Sequence, residues 1–244
     1  MYNLYNKVST VSDRMPFSDL YPERRGGVIN PSVLQRATGA GHPASLRVAC
    51  ERNVIENIEK MPMVRHFLSA LKASGCPFDL ASQVSCEMCQ KGSGLEHAGG
   101  YDEKLNQIFI CQNNTTTPGQ VHAALVRNLF YVFDRCVNKY DFNNPEHLAC
   151  TEVRKANLAN CGWLVFMQRD GASLGVKNQH ANCVKITAIE SLEKTRFMSR
   201  ELAEKSVENV FDRCYKDLEP IGRRSKDKKD IIRAFEEKFL FGYH

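Results

Sequence analysis

The chain has 244 residues, is 43% hydrophobic and 25% charged, and carries a net charge of +5. That length supports a sizeable core, as one large domain or one domain with extensions, and the composition argues against wholesale disorder. No apolar run approaches the roughly 18 residues a membrane-spanning helix needs, and the mild, dispersed positive charge reads as a solvated surface rather than a nucleic-acid site.

Residues 1–42 are rich in Gly, Pro and Ser and lack periodicity, so they read as an extended arm with at most a short helix after Asn30-Pro31. The opening stretch has no apolar core behind a positive end and is not Arg-rich and amphipathic, so it reads neither as a secretory signal nor as a presequence. Pro43 opens a helix whose Leu46, Ala49, Cys50, Val54, Ile58 and Met61 recur at helical spacing; Pro62 breaks it, and Val64 to Ala73 resume it. From Pro77 to Asn113 the period changes, and Asn106 to Cys111 form a β-type run, which predicts a small antiparallel sheet. Thr117, Pro118 and Gln120 supply the cap, first turn and capping-box position of a central helix. Its apolar face comprises Val121, Ala124, Leu125, Leu129, Val132, Phe133 and Cys136. A second helix starts at Asn144-Pro145 and runs to about Ala159; others are predicted over Ile186–Phe197, Ser199–Leu218 and Asp227–Phe239. The densest basic run is Arg223, Arg224, Lys226, Lys228 and Lys229, interrupted by Asp227 and Asp230.

Ten cysteines stand out: Cys50, Cys76, Cys86, Cys89, Cys111, Cys136, Cys150, Cys161, Cys183 and Cys214. An even number spread along the chain reads as a disulfide framework in an oxidising compartment, the alternative being a set of small buried hydrophobes. Cys86 and Cys89 form a lone C-x-x-C with no second pair to complete a zinc knuckle, so they read as structural sulfurs. The pairings are not deducible from sequence.

Two segments carry a family resemblance. Phe133-Asp134-Arg135-Cys136 and the long run His147-Leu148-Ala149-Cys150-Thr151-Glu152-Val153-Arg154-Lys155-Ala156-Asn157-Leu158 resemble a family of mitochondrial intermembrane-space metalloproteases. Its members process an ATP synthase subunit and assist assembly of that enzyme. They read H-E-L-I-H-A-F-D-x-C and then H-L-A-C-S-E-V-R-A-A-N-L. Further echoes are Cys86 with Cys89, Cys111-Gln112-Asn113-Asn114, Cys183-Val184, Val207 to Cys214 and Glu219 to Arg223. The resemblance implies a zincin-like body. The architecture expected is therefore α+β: mainly helical, with a small antiparallel sheet and long terminal arms. The divisions are an arm over 1–42, a metalloprotease-like domain over 43–222 and a basic helical tail over 223–244.

Aligned on the shared Phe-Asp-x-Cys, the H-E-x-x-H positions are occupied by Arg127, Asn128, Leu129, Phe130 and Tyr131. The motif works because two histidines one turn apart hold one zinc ion while the glutamate takes a proton from the bound water. A guanidinium stays protonated and cannot ligate, a phenol stays neutral near neutral pH, and asparagine is no base. His122 and His147, the nearest histidines, form no two-histidine turn. The expectation from sequence is a chain with no catalytic residues, no metal and no cofactor, hence not an enzyme. Its former site would comprise Arg127, Asn128, Tyr131, Asp134 and Glu152, with Glu152 corresponding to a third ligand and Asp134 the other candidate. A carboxylate left there without a partner would cost several kcal/mol, and Arg127 is expected to pair with Glu152 or Asp134, the alternative being that Arg127 turns to solvent and Glu152 hydrogen-bonds backbone. Phe130 and Phe133 read as core, His147 as structural, and Trp163 has no assignable role.

The resemblance implies a non-catalytic accessory or assembly subunit of a mitochondrial inner-membrane complex, either ATP synthase or the respiratory chain. It would lie on the intermembrane-space side, peripheral to the membrane, with that complex's protein subunits as partners and no nucleic acid. The intermembrane space is an oxidising compartment reached without a secretory signal. The alternatives are a zinc protease with an unorthodox site and a mitochondrial ribosome- or RNA-associated factor using the basic run.

Overall fold

A computed structural model describes residues 42–89, 98–161, 179–225 and 227–244. The expected arm, apart from its last residue His42, and Trp163 fall outside them. The elements in chain order begin with α1 (Pro43–Lys60), α2 (Pro62–Ala73), a single turn α3 (Leu80–Gln83), β1 (Val84–Glu87), β2 (Gly99–Asp102) and β3 (Gln107–Cys111). They continue with α4 (Pro118–Cys136), α5 (Pro145–Lys155), α6 (Gln179–Arg196), α7 (Arg200–Lys216) and α8 (Lys228–Glu236). The architecture is α+β and mainly helical, as expected.

Local chemistry sets most helix starts. Thr117 accepts a hydrogen bond from the Gln120 N–H while the Gln120 side chain reaches back to the cap, and Pro118 occupies the first turn, where its missing N–H costs nothing. Asn144 with Pro145 repeats the arrangement on α5. Pro62 does not merely break the first helix; it opens the second, because Met61 is extended and the proline ring is preset for a first turn. The last turn of α5 widens into a π-helical turn, Ala156–Asn160, close to the expected end at Ala159.

The sheet corrects the expectation of an antiparallel one. Its order is β1-β3-β2. β2 and β3 form an antiparallel hairpin, but β1 joins the other edge of β3 in parallel, with Cys86 opposite Ile110. A short hairpin turn dictates the first pairing, whereas the second is non-local and leaves no mark in the alternation pattern. Gly100 permits the close approach of β2, since a Cβ there would lie 2.6 Å from the Phe109 ring.

The core lies between α4 and the elements that surround it: α1, α2, β2, β3 and α5. Phe67 of α2 meets Phe130 edge-on at 4.8 Å between ring centroids, and Phe130 and Phe133 are both fully buried, as expected. All ten cysteines are paired, as Cys50–Cys86, Cys76–Cys136, Cys89–Cys111, Cys150–Cys214 and Cys161–Cys183. Cys86 and Cys89 therefore join different elements and are structural.

One buried histidine, His66, and two half-buried ones, His122 and His180, pack within this body. His66 lies 2.7 Å through Nε2 from the Pro220 carbonyl, His122 lies 2.9 Å from the Asn57 amide oxygen, and His180 lies 2.9 Å from the Tyr215 hydroxyl. Burial holds all three imidazoles below their ordinary 6.5. The unfolded chain therefore takes up protons first as pH falls. Their contribution to stability is fully present above about pH 6.5 and is lost below it. Urea midpoints should fall between about pH 7 and about pH 5.5; a flat profile over that window would contradict these histidine environments.

Candidate functional site: buried ion pairs on the central helix

The residues singled out on α4 and α5 come together, but with different partners from those expected. Tyr131 lies one turn beyond Arg127 on α4, and its hydroxyl donates to Glu152 Oε1 on α5. Glu152 is fully buried, and its other oxygen lies 2.5 Å from the Lys155 ammonium. Lys155 also donates to the Tyr131 hydroxyl at 3.2 Å and to Ser191 Oγ of α6 at 3.4 Å, and lies 4.9 Å from the centroid of the Tyr131 ring. The expected pairing of Arg127 with a carboxylate is corrected: no ion pair joins it to either Glu152 or Asp134, among the described residues. Lys155, three residues after Glu152 on the same helix, reaches the carboxylate first. Arg127 stays half-buried; burial lowers its pKa, while the nearby Glu152 charge raises it.

Burial pushes the Tyr131 phenol well above its ordinary 10.0, and the Glu152 charge adds to the shift, so it remains a neutral donor. Burial lowers the Lys155 ammonium, and Glu152 opposes that shift. Arg196 of α6 lies 5.6 Å from the Tyr131 ring centroid and supplies a further cation at the rim.

Asp134, one turn further along α4, belongs to a separate network. It pairs with the fully buried guanidinium of Arg154 and accepts hydrogen bonds from Thr151 at 2.7 Å and Asn138 at 2.8 Å. Arg154 also pairs with Asp217 at 3.0 Å and donates to the Glu219 carbonyl at 2.6 Å. It thereby ties α4 and α5 to the segment after α7. Asn128 is buried and donates back to the Ala124 carbonyl of its own helix at 2.8 Å. His147 stacks on Tyr140 at 4.9 Å and accepts from the Asp141 N–H at 3.1 Å, a structural role.

These side chains do not fit a zinc ion. Arg127 is a cation, the Tyr131 hydroxyl is spent on Glu152, and Glu152 already has an ammonium beside it. Among the described residues no group of three or more His, Cys, Asp or Glu side chains is placed to hold a metal. Sequence reading missed Lys155 and Arg154. For Lys155 a signal was present: the chain places a cation three residues from Glu152, where i,i+3 side chains meet.

Comparison with known proteins places the chain. The model of the Peptidase M76 family matches residues 48–222. A protein of Xenopus laevis, "Mitochondrial inner membrane protease ATP23 homolog", is 35% identical over 89% of each chain. The protein of that name from Danio rerio is 33% identical over 90% of this chain and 82% of its own, and the one from Homo sapiens is 35% identical over 73% and 71%. No solved structure matches. The chain belongs to the Peptidase M76 family. The expectation that it is not an enzyme is overturned by this result: its family is one of peptidases and its relatives are named proteases.

Proposed function

We propose that the protein works at the mitochondrial inner membrane, on the intermembrane-space side, as an accessory or assembly subunit of a membrane complex such as ATP synthase or a respiratory-chain complex. The relatives' names support the membrane, and no described helix is long and apolar enough to cross it, which favours peripheral attachment. The observation that carries the side is the pairing of all ten cysteines, since such frameworks persist in oxidising compartments. Five crosslinks and two buried charge networks make a stiff body, suited to holding a partner surface in fixed geometry. The family domain over 43–222 supplies that body, and the basic tail over 223–244 packs back on it through α8. Native-gel separation of gently solubilised mitochondria tests it: the protein should co-migrate with an inner-membrane complex, and migration solely as a free monomer would refute the proposal.

Peptide-bond cleavage is the second reading, favoured by the peptidase family and the proteases among its relatives. Turnover of an unfolded polypeptide by the purified protein supports it; no turnover under conditions where a relative is active counts against it.

A further inference from the structure

The basic run near the C-terminus does two jobs. Arg223 pairs with Glu237, and Arg224 donates to Asn157 Oδ1 at 2.7 Å and to the Tyr215 carbonyl at 2.7 Å, so both belong to the fold. The bases of α8 are different. Asp227 caps this helix by accepting from the Asp230 N–H. Its inner face carries the buried Ala234 and the half-buried Ile231 and Phe235. Phe235 takes the Arg65 guanidinium of α2 over its ring at 4.6 Å. Gly242, at φ 76°, ends the 3-10 turn Glu237–Phe241 that continues α8. Phe241 packs over Gly222, where an added Cβ would lie 2.3 Å from its ring.

The outer arc of this element pairs with nothing described. At helical spacing it presents Lys228, Lys229, Ile232, Arg233 and Glu236, and then Phe239 and Leu240. Ile232 is 45% exposed, Phe239 59% and Leu240 68%. Lys228, Lys229 and Arg233 make no ion pair among the described residues, and Glu236 is the acidic residue in the arc. Large apolar side chains in water are a cost that an interface removes. Long basic side chains on the same arc keep their charged ends at a polar boundary while their stems lie on an apolar one.

We infer that the outer face of α8 with Phe239 and Leu240 is a docking surface for a bilayer containing anionic lipid. Phe239, Leu240 and Ile232 enter the boundary between headgroups and acyl chains, and Lys228, Lys229 and Arg233 lie against the lipid phosphates. This chemistry joins apolar burial to attraction for negative lipid, the pairing that holds interfacial helices. The inference rests on the inner-membrane reading above and names the surface that makes the contact.

Co-sedimentation of the whole, disulfide-intact protein with vesicles tests it. Wild type should bind phosphatidylcholine vesicles containing cardiolipin and should bind pure phosphatidylcholine much less. Binding should weaken as salt shortens the screening length from about 10 Å to about 3 Å. The K228Q/K229Q/R233Q variant should lose about fivefold for each base removed, and F239A/L240A on the order of tenfold. All these positions are exposed, and unchanged thermal melting confirms folded variants. No binding by wild type, equal binding to both vesicle types, variants that bind as wild type does, or a dimer formed through this face would each overturn the inference. Failure here leaves co-migration with a membrane complex standing, and a protein that binds vesicles yet joins no complex loses only the earlier proposal.

Discussion

Replacing Arg154 by methionine should destabilise the protein by about 3–5 kcal/mol, the loss expected when one member of a buried ion pair is removed and the other is left charged. Arg154 is fully buried and lies against Asp134, which is fully buried as well, and Asp217, whose side chain is 32% exposed. After the substitution Asp217 relaxes into water at little cost. Asp134 cannot, because it is held between α4 and α5 by Thr151 and Asn138. The Glu219 carbonyl loses its donor too. Methionine keeps much of the side-chain volume, so the loss reads electrostatics rather than a cavity. Urea denaturation with disulfides intact measures it, and the double variant R154M/D134L should recover part of the loss. A single-variant effect under about 1 kcal/mol would mean that Asp134 protonates or rotates out freely.

The second large effect is expected at Cys150–Cys214. Replacing both cysteines by serine should cost about 4 kcal/mol from unfolded-chain entropy alone, because this bridge closes a sequence separation of 64, the longest of the five. Cys89–Cys111, with a separation of 22, should cost about 3 kcal/mol by the same reasoning. Cys150 is on α5 and Cys214 on α7, so the bridge fixes the helix pair that encloses Arg154. Thermal melting of the two double variants checks the order. A larger loss at Cys89–Cys111 would show that native-state contacts, and not loop closure, set the value of each bridge.

What could be read from the sequence was mostly local. The Thr117, Pro118, Gln120 signature placed the start of α4 because capping is decided by neighbouring residues. The α6 helix begins at Gln179, seven residues before the expected Ile186, because its first turns are polar and small. Long-range ties hold them instead: the Cys161–Cys183 bridge and the contact of His180 with Tyr215. The parallel pairing of β1 with β3 escaped for the same reason.

The candidate site divides in the same way. That Tyr131 and Glu152 face one another follows from helix spacing and the aligned motif. Which cation meets each carboxylate does not, because Arg127, Arg154, Lys155 and Arg196 all stand within a few turns of it, and only tertiary packing decides. Arg154 turns toward Asp134 and the segment after α7, Lys155 toward Glu152, and Arg127 is left at the rim.

The same packing explains how a family body keeps its form around this turn. The Lys155 ammonium lies beside the buried Glu152 carboxylate, as the Arg154 guanidinium lies beside Asp134, so neither buried charge is left alone. Family membership makes the chain a relative of proteases; the buried charges show what stabilises the junction of α4 and α5 in this member.

A double-mutant cycle on Lys155 and Glu152, read by urea denaturation of the disulfide-intact protein, tests that junction most directly. K155M alone should cost about 3–5 kcal/mol, and K155M/E152L should recover most of it, giving a coupling of at least about 2 kcal/mol. Additive losses, with no recovery in the double variant, would show that the ammonium does not neutralise this carboxylate and that something else holds the two helices together.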